Sequence, residues 1–412
     1  MNAFQTLALL LTFVAIGAFV NSRIFRLPAT IGLMAFALMF SLLAVGLNEL
    51  GWVDLHTASA FIANIDFSNI LLHGMLSFLL FAGAIQINFS DLKKHHILVI
   101  VLATVGVVIA TFVTGTLIWL VAGWFGLAFP YGYALLFGAL ISPTDPVAVL
   151  GILKQTAMSQ NLRVKIGCES LLNDGVGVVL YILLLSIALH PHRPISTPGI
   201  ALDLLWQGGG SVVLGIVLGL ATHRFLKLVD DYKVEVLLTL ALVSGGYALA
   251  EVINVSAPIA IVMAGLIIGN HSKKSGFVPK TRHHVDMFWE LLEDILNTIL
   301  FALIGLEMMV IHLTAQHLAI GLAAVIAVLG GRLVSVALPV SLMRLRYRFE
   351  RGTITLLTWG GLRGGISIAL ALSLPPGPEK DLIIGMTYVT VVFSVLLQGT
   401  TFQHVVKAIV KS

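Results

Sequence analysis

The chain has 412 residues, of which 58% are hydrophobic and 11% charged, with a formal net charge of +4. Soluble domains carry about 25% charged residues, so the composition excludes a soluble enzyme or binding module. It describes a protein that crosses a membrane many times, and the single cysteine, Cys168, excludes an intrachain disulfide.

Taken in chain order, apolar windows long enough to span a bilayer predict thirteen spans. They fall near 4–21, 29–48, 69–88, 97–123, 131–153, 166–189, 200–223, 234–251, 256–270, 289–310, 317–342, 352–374 and 382–405. The first has no basic leader and no small-residue cleavage site, and reads as a retained helix. The longest non-apolar pieces, 49–68 and 271–288, are expected to be loops or interfacial segments. Numbering the loops alternately puts twenty of the twenty-four Lys and Arg residues on one side and only Arg193 and Lys380 on the other. This bias predicts an outside N-terminus and an inside C-terminus. The positive charge is thus a topology signal, and no nucleic-acid partner is expected.

Two basic residues, Arg332 and Arg363, fall within spans, as do the acids Asp145, Glu169 and Asp174. Six further acids, Glu235, Glu251, Glu290, Glu293, Asp294 and Glu307, are expected at solvated span ends. Pairing neutralises two of the three deep acids and leaves one carboxylate, which either takes up a proton or binds a cation. A site that does both, one at a time, is the minimal part of a proton-coupled cation exchanger. In the sixth span, ESLLNDGVGVV, Ser170 and Asp174 are four residues apart and share a helix face, as do Glu169 and Asn173. The first face offers a carboxylate and a hydroxyl, hard oxygen ligands for Na⁺ or Li⁺. The second offers a carboxylate to pair with an arginine, and Arg332 is the expected partner.

Two spans are interrupted. The fifth, GALISPTDPVAVL, has Pro143 and Pro146 bracketing Thr144 and Asp145; the twelfth, TWGGLRGGISIAL, has four glycines flanking Arg363. Proline removes backbone donors, and glycine allows unwinding or close crossing. Seven spans apart, the two run in opposite directions, which predicts inverted repeats of spans 1–6 and 8–13 with span 7 as connector. Crossed interrupted helices at matching places point to a midplane ion site. Asp145 is then either an ion ligand or a compensator of half-helix N-terminal ends, and Arg363 offsets the C-terminal ends.

These strings, together with FWELLEDILNTILFALIGLE (288–307) and GGRLVSVALPVS (330–341), resemble the cation/proton antiporter-1 family, the NhaP-type exchangers related to animal Na⁺/H⁺ exchangers. The resemblance covers essentially the whole chain. It implies a Na⁺(Li⁺)/H⁺ antiporter in the cell membrane, a homodimer in lipid, with no cofactor and no enzymatic activity. It implies a dimerisation domain at approximately 1–90 and 200–310 and an ion-carrying domain at approximately 97–189 and 317–412. Asp174 would exchange Na⁺ for H⁺, with Asp145, Ser170 and the Thr144 carbonyl completing the coordination, and Glu169 pairing with Arg332. The Asn173–Asp174 sequence, where electrogenic relatives have two aspartates, implies one-for-one electroneutral exchange. One position departs: Ala82 stands where family members commonly carry a glutamate in span 3, with Gln86 one helical turn on. A K⁺/H⁺ antiporter of the same fold is therefore the alternative, ahead of a cation channel or membrane sensor. His95, His96, His283 and His284 fall in inside loops, where they are expected to be solvated.

Overall fold

The computed structural model describes residues 3–52, 62, 66–145, 149, 160–189, 199, 202–203, 205–274, 279–311, 314–347 and 349–411. Among the described residues the fold is all helix. A chain this apolar has no water to satisfy its amides inside a bilayer, and the helix satisfies them internally. The helices are α1 (Ala3–Val20), α2 (Ala29–Glu49), α3 (Phe67–Gln86), α4 (Leu92–Trp124), α5 (Tyr131–Ile141), α6 (Gln160–Leu189) and α7 (Trp206–Leu226). There follow α8 (Tyr232–Val252), α9 (Ala257–Lys274), α10 (Pro279–Leu306), α11 (Ala315–Met343), the short pair α12 (Thr353–Trp359) and α13 (Gly365–Leu372), and α14 (Pro378–Ile409).

Polar residues mark the helix starts. Asp66, Asn88, Asp231 and Thr314 each accept a hydrogen bond from a backbone N–H of the first turn that follows. At the other end of the α12–α13 unit, Lys380 Nζ donates to the carbonyls of Leu372 and Leu374, both at 2.7 Å. This lysine closes a helix C-terminus.

Nine described helices are long and apolar enough to cross a membrane. The other expected spans are those that the sequence marks as short, charged or broken. Helices α5 and α9 are shorter apolar helices, α10 carries acids along its length, and α12 and α13 are two halves separated by Gly360–Gly364. Several long helices contain a π-turn, among them Ile70–Met75 in α3 and Ser394–Gln398 in α14.

Packing gathers these helices round two main apolar cores. The larger is built from α4, α5, α6, α11, α12, α13 and α14, with Ile31 of α2, Phe67, Leu71 and Met75 of α3 and Leu300, Phe301 and Leu303 of α10 joining it. The second joins α3, α7, α8, α9 and α10 around Phe81 and Trp289, whose rings lie 4.6 Å apart between centroids. Helices α3 and α10 thus run between the two.

Candidate ion-binding site

The unbroken helix α6 presents four polar side chains in one and a half turns, all buried: Glu169, Ser170, Asn173 and Asp174. Against them lies the point where α5 stops. Ser142 hydrogen-bonds back to the Gly138 carbonyl at 2.6 Å, and from Ser142 to Asp145 the chain leaves the helix. Pro143 makes continuation unfavourable because it lacks the N–H that the ladder needs. Pro146, the second expected breaker, lies outside the described residues.

Asn173 fastens this released strand to α6. Its Oδ1 accepts from the Thr144 N–H at 3.2 Å, and its Nδ2 donates to Thr144 Oγ1 at 2.9 Å. The hydroxyls of Thr144 and Ser170 are 2.9 Å apart and share a hydrogen bond. Ser170 therefore serves Thr144 directly, a contact that helical periodicity alone does not reveal.

The second break crosses the first. The Asp145 N–H donates to the Leu362 carbonyl at 2.8 Å. Arg363 Nη1 donates to the carbonyls of Ser142 at 2.5 Å and Pro143 at 3.0 Å, groups orphaned by the end of α5. The Arg363 N–H in turn finds Ser394 Oγ at 2.9 Å, at the π-turn of α14. The glycines are required by proximity. A Cβ at Gly364 would overlap the Asp145 carboxyl, and one at Gly361 would lie 2.5 Å from Arg332 Nε.

Glu169 and Arg332 form a two-pronged ion pair, with Nη1–Oε1 at 2.5 Å and Nη2–Oε2 at 3.1 Å. Arg332 also donates from Nε and Nη2 to the Leu357 carbonyl, at 3.2 and 3.0 Å. One guanidinium joins α6, α11 and α12. A buried carboxylate is tolerated when paired and hydrogen-bonded in this way.

Asp174 has a different setting. Among the described residues no cationic side chain pairs with it, and it lines a cavity of about 50 Å³, larger than the share of one water molecule. Pro143, Thr144, Asp145, Gly364 and Ser367 line the same cavity on the side of the broken helices. Leu76, Leu80 and Gly83 of α3 and Glu293, Asn297 and Leu300 of α10 close the other side. Asp145 is half-buried. A buried carboxylate such as Asp174, with no cationic partner among the described residues, is neutralised by a proton or by a bound cation.

The model of the family described as "Sodium/hydrogen exchanger, transmembrane" matches residues 9–408. The chain belongs to the sodium/hydrogen exchanger family. Within it, the chain is 48% identical to the Na⁺/H⁺ antiporter NhaP of Pseudomonas aeruginosa, over 99% of this chain and 96% of that one. It is 32% identical to the Na⁺/H⁺ antiporter NhaH of Halobacillus dabanensis, over 97% and 96%. Its fold matches that of the sodium proton antiporter MjNhaP1 of Methanocaldococcus jannaschii at pH 8, with a TM-score of 0.76, 18% identity and complete coverage of both chains. As a sodium/hydrogen exchanger family member with these apolar helices, it is a multi-pass membrane protein.

Of the six acids expected at solvated ends, this family member exposes Glu251, Glu290 and Asp294 but buries Glu235 and Glu307 and half-buries Glu293. Glu235 sits in the first turn of α8, where the helix dipole favours a carboxylate even when it points inward. Glu307 forms the short turn that ends α10. Glu293 and Asn297 were not singled out as site residues. Their spacing of four along a strongly amphipathic helix is the signal that places both on one face. Of the four loop histidines, His96, His283 and His284 are exposed and His95 is half-buried.

Proposed function

We propose that the chain is a secondary active Na⁺(Li⁺)/H⁺ antiporter, exchanging one cation for one proton by alternating access, with both competing for Asp174. The observation that carries this reading is the contrast between the two buried acids of α6. Glu169 is neutralised by Arg332, whereas Asp174 faces a cavity beside Asp145 with no cationic partner among the described residues. A group so placed cannot release one cation without accepting another, and that competition alone couples the two gradients. The similarity to proteins named Na⁺/H⁺ antiporters supports the choice of ions.

In this reading Asp174, Asp145, Ser170 and the Thr144 carbonyl hold Na⁺. Asn173 positions Thr144, Glu169 and Arg332 brace the helices, and Arg363 compensates the α5 C-terminus. Electroneutrality follows from one exchanging carboxylate, since Asn173 is uncharged. Thirteen crossings with the N-terminus outside, as two inverted six-helix repeats, agree with the oppositely directed breaks and the distribution of basic residues. The ion-carrying domain, near 97–189 and 317–412, would move against a dimerisation domain near 1–90 and 200–310, in a homodimer of a bacterial inner membrane.

A K⁺/H⁺ antiporter is the second reading. Ala82 is fully buried and supplies only its carbonyl, which accepts from Gln86. A site with one carboxylate fewer suits a larger, more weakly hydrated ion. The deciding test is ΔpH dissipation in proteoliposomes on adding Na⁺, Li⁺ or K⁺, with and without a voltage clamp, against Asp174→Asn. Na⁺-driven proton movement that survives the clamp and is absent in the variant is expected. A response to K⁺ alone transfers the reading to the alternative, and no response to any cation overturns both.

A further inference from the structure

The Asp174 cavity is also lined by polar groups outside α6 and the broken helices. Glu293 and Asn297 of α10 both line it. They are four residues apart, about 6 Å along the helix axis and on one face. Gln86, the last residue of α3, fixes the first of them: its Nε2 donates to Glu293 Oε2 at 2.7 Å and to the Ala82 carbonyl at 3.1 Å.

Asn297 is 2% exposed, and its Nδ2 has no hydrogen-bond partner among the described residues. Buried amides are nearly always paired, so one left unpaired on a cavity wall marks a place where a ligand or solvent completes the bonding. Accessibility falls steadily along this face. Glu290 is exposed, Glu293 half-buried and Asn297 buried, and the cavity with Asp174 comes next. Among the described residues no three acidic or histidine side chains converge closely enough to hold one ion. Glu293, Asp145 and Asp174 therefore do not form a single three-carboxylate ion site among the described residues. Helix α10 (Pro279–Leu306) starts within the segment 271–288, which carries Lys273, Lys274, Lys280 and Arg282, and Glu293 is nearer that end than Asn297.

We propose that Glu293, oriented by Gln86, is the recruiting carboxylate for monovalent cations approaching Asp174 from the Lys/Arg-rich face, with the Asn297 amide as the next oxygen on the way. This rests on the exchange reading above. A carboxylate in a narrow, low-dielectric cleft raises the local concentration of counter-ions. On that basic face it also provides a negative route past repelling charges. The amide has two uses. Turned one way it gives the cation an oxygen, and turned the other it donates to the carboxylate the cation has left.

The test is Na⁺-dependent proton movement in everted and right-side-out membrane vesicles, which offer opposite faces of the protein to added Na⁺. For Glu293→Gln, KM for Na⁺ is expected to rise by about fivefold or more from the Lys/Arg-rich face only, by more than kcat changes. The rise should shrink as ionic strength is increased with choline chloride, because screening weakens the attraction. Asn297→Ala should raise KM from the same face. KM unchanged, or raised alike from both faces and independent of ionic strength, overturns the proposal. If Glu293→Gln does not accumulate, Gln86→Leu releases the carboxylate and is expected to give a smaller rise on the same face; no rise overturns the proposal equally. Wild-type vesicles without Na⁺-driven proton movement would instead remove the exchange reading itself.

Discussion

The amide of Asp145 and the carbonyl of Leu362 meet at 2.8 Å, so the two interrupted helices are joined main chain to main chain. The joint leaves the Asp145 carboxyl to face the cavity, and it forms only because Gly364 lets the strands approach.

Gly364→Ala tests that approach. The added Cβ would overlap the Asp145 carboxyl. Overpacking of this kind costs about 1–3 kcal/mol, and a misplaced site group costs catalytic turnover about 10–100-fold. Transport in proteoliposomes should fall in that range while the protein still folds in detergent. Wild-type rates would show that the carboxyl has room to move.

Breaking the α6–α11 ion pair should be costly and replacing it cheap. Arg332→Met alone leaves Glu169 charged and buried, a loss of about 3–5 kcal/mol. The double variant Arg332→Met, Glu169→Met should recover most of that stability. Thermal melting of the single and double variants forms the cycle that reads the coupling. Additive losses would mean that the pair contributes nothing jointly.

Arg363 supplies two hydrogen bonds to the end of α5. Arg363→Gln keeps polarity but withdraws the charge from the Ser142 and Pro143 carbonyls, at about 1–3 kcal/mol for each group left unpaired. Arg363→Lys should lose less, because both bonds come from the single nitrogen Nη1, whose place one ammonium can take. Equal losses in the two variants, read as melting temperature and transport rate, would contradict this ranking.

The pH dependence follows from competition at Asp174. In the proposed mechanism a proton and Na⁺ exclude each other there, so apparent Na⁺ affinity should be constant above the carboxyl's pKa. It should weaken by roughly tenfold per pH unit below it. Initial rates over a matrix of pH and Na⁺ concentration give this directly. An affinity that does not change with pH would exclude a shared carboxylate.

How far the site could be read from the sequence depends on the range of each interaction. The proline break after Ile141 and the two faces of α6 are local features, and the helix period exposes them. Counting the deep charges predicts that two acids pair with the two arginines, and the family resemblance names Glu169 and Arg332 as one such pair. Asn173 acting as a clamp on Thr144, Ser170 turned toward the same residue, and Ser394 receiving the Arg363 amide all depend on which backbone strand comes alongside. No periodicity carries that information. Its position near a span end predicts a solvated Glu293, and only the packing of α10 against α3 shows it on the cavity wall. The thirteen expected spans overlap helices throughout, yet α5, α9, α10 and the α12–α13 pair are marginal by length or charge. Their apolar stretches are short because their polar groups face other helices and the cavity.

The Arg332 guanidinium reaches Glu169 on one side and Leu357 on the other, while the Asp145–Leu362 joint locks the two breaks together. These fastenings tie the ground around Asp174 to α6, α11, α12 and both helix breaks. A site built like this resembles the cabin of a lift more than a hinge. Under the proposed alternating access, ligands tied together in this way would keep their mutual distances while the cabin travels, so selectivity for the cargo need not be rebuilt at each landing. Mutations that loosen the fastenings should therefore blur ion preference before they slow the journey.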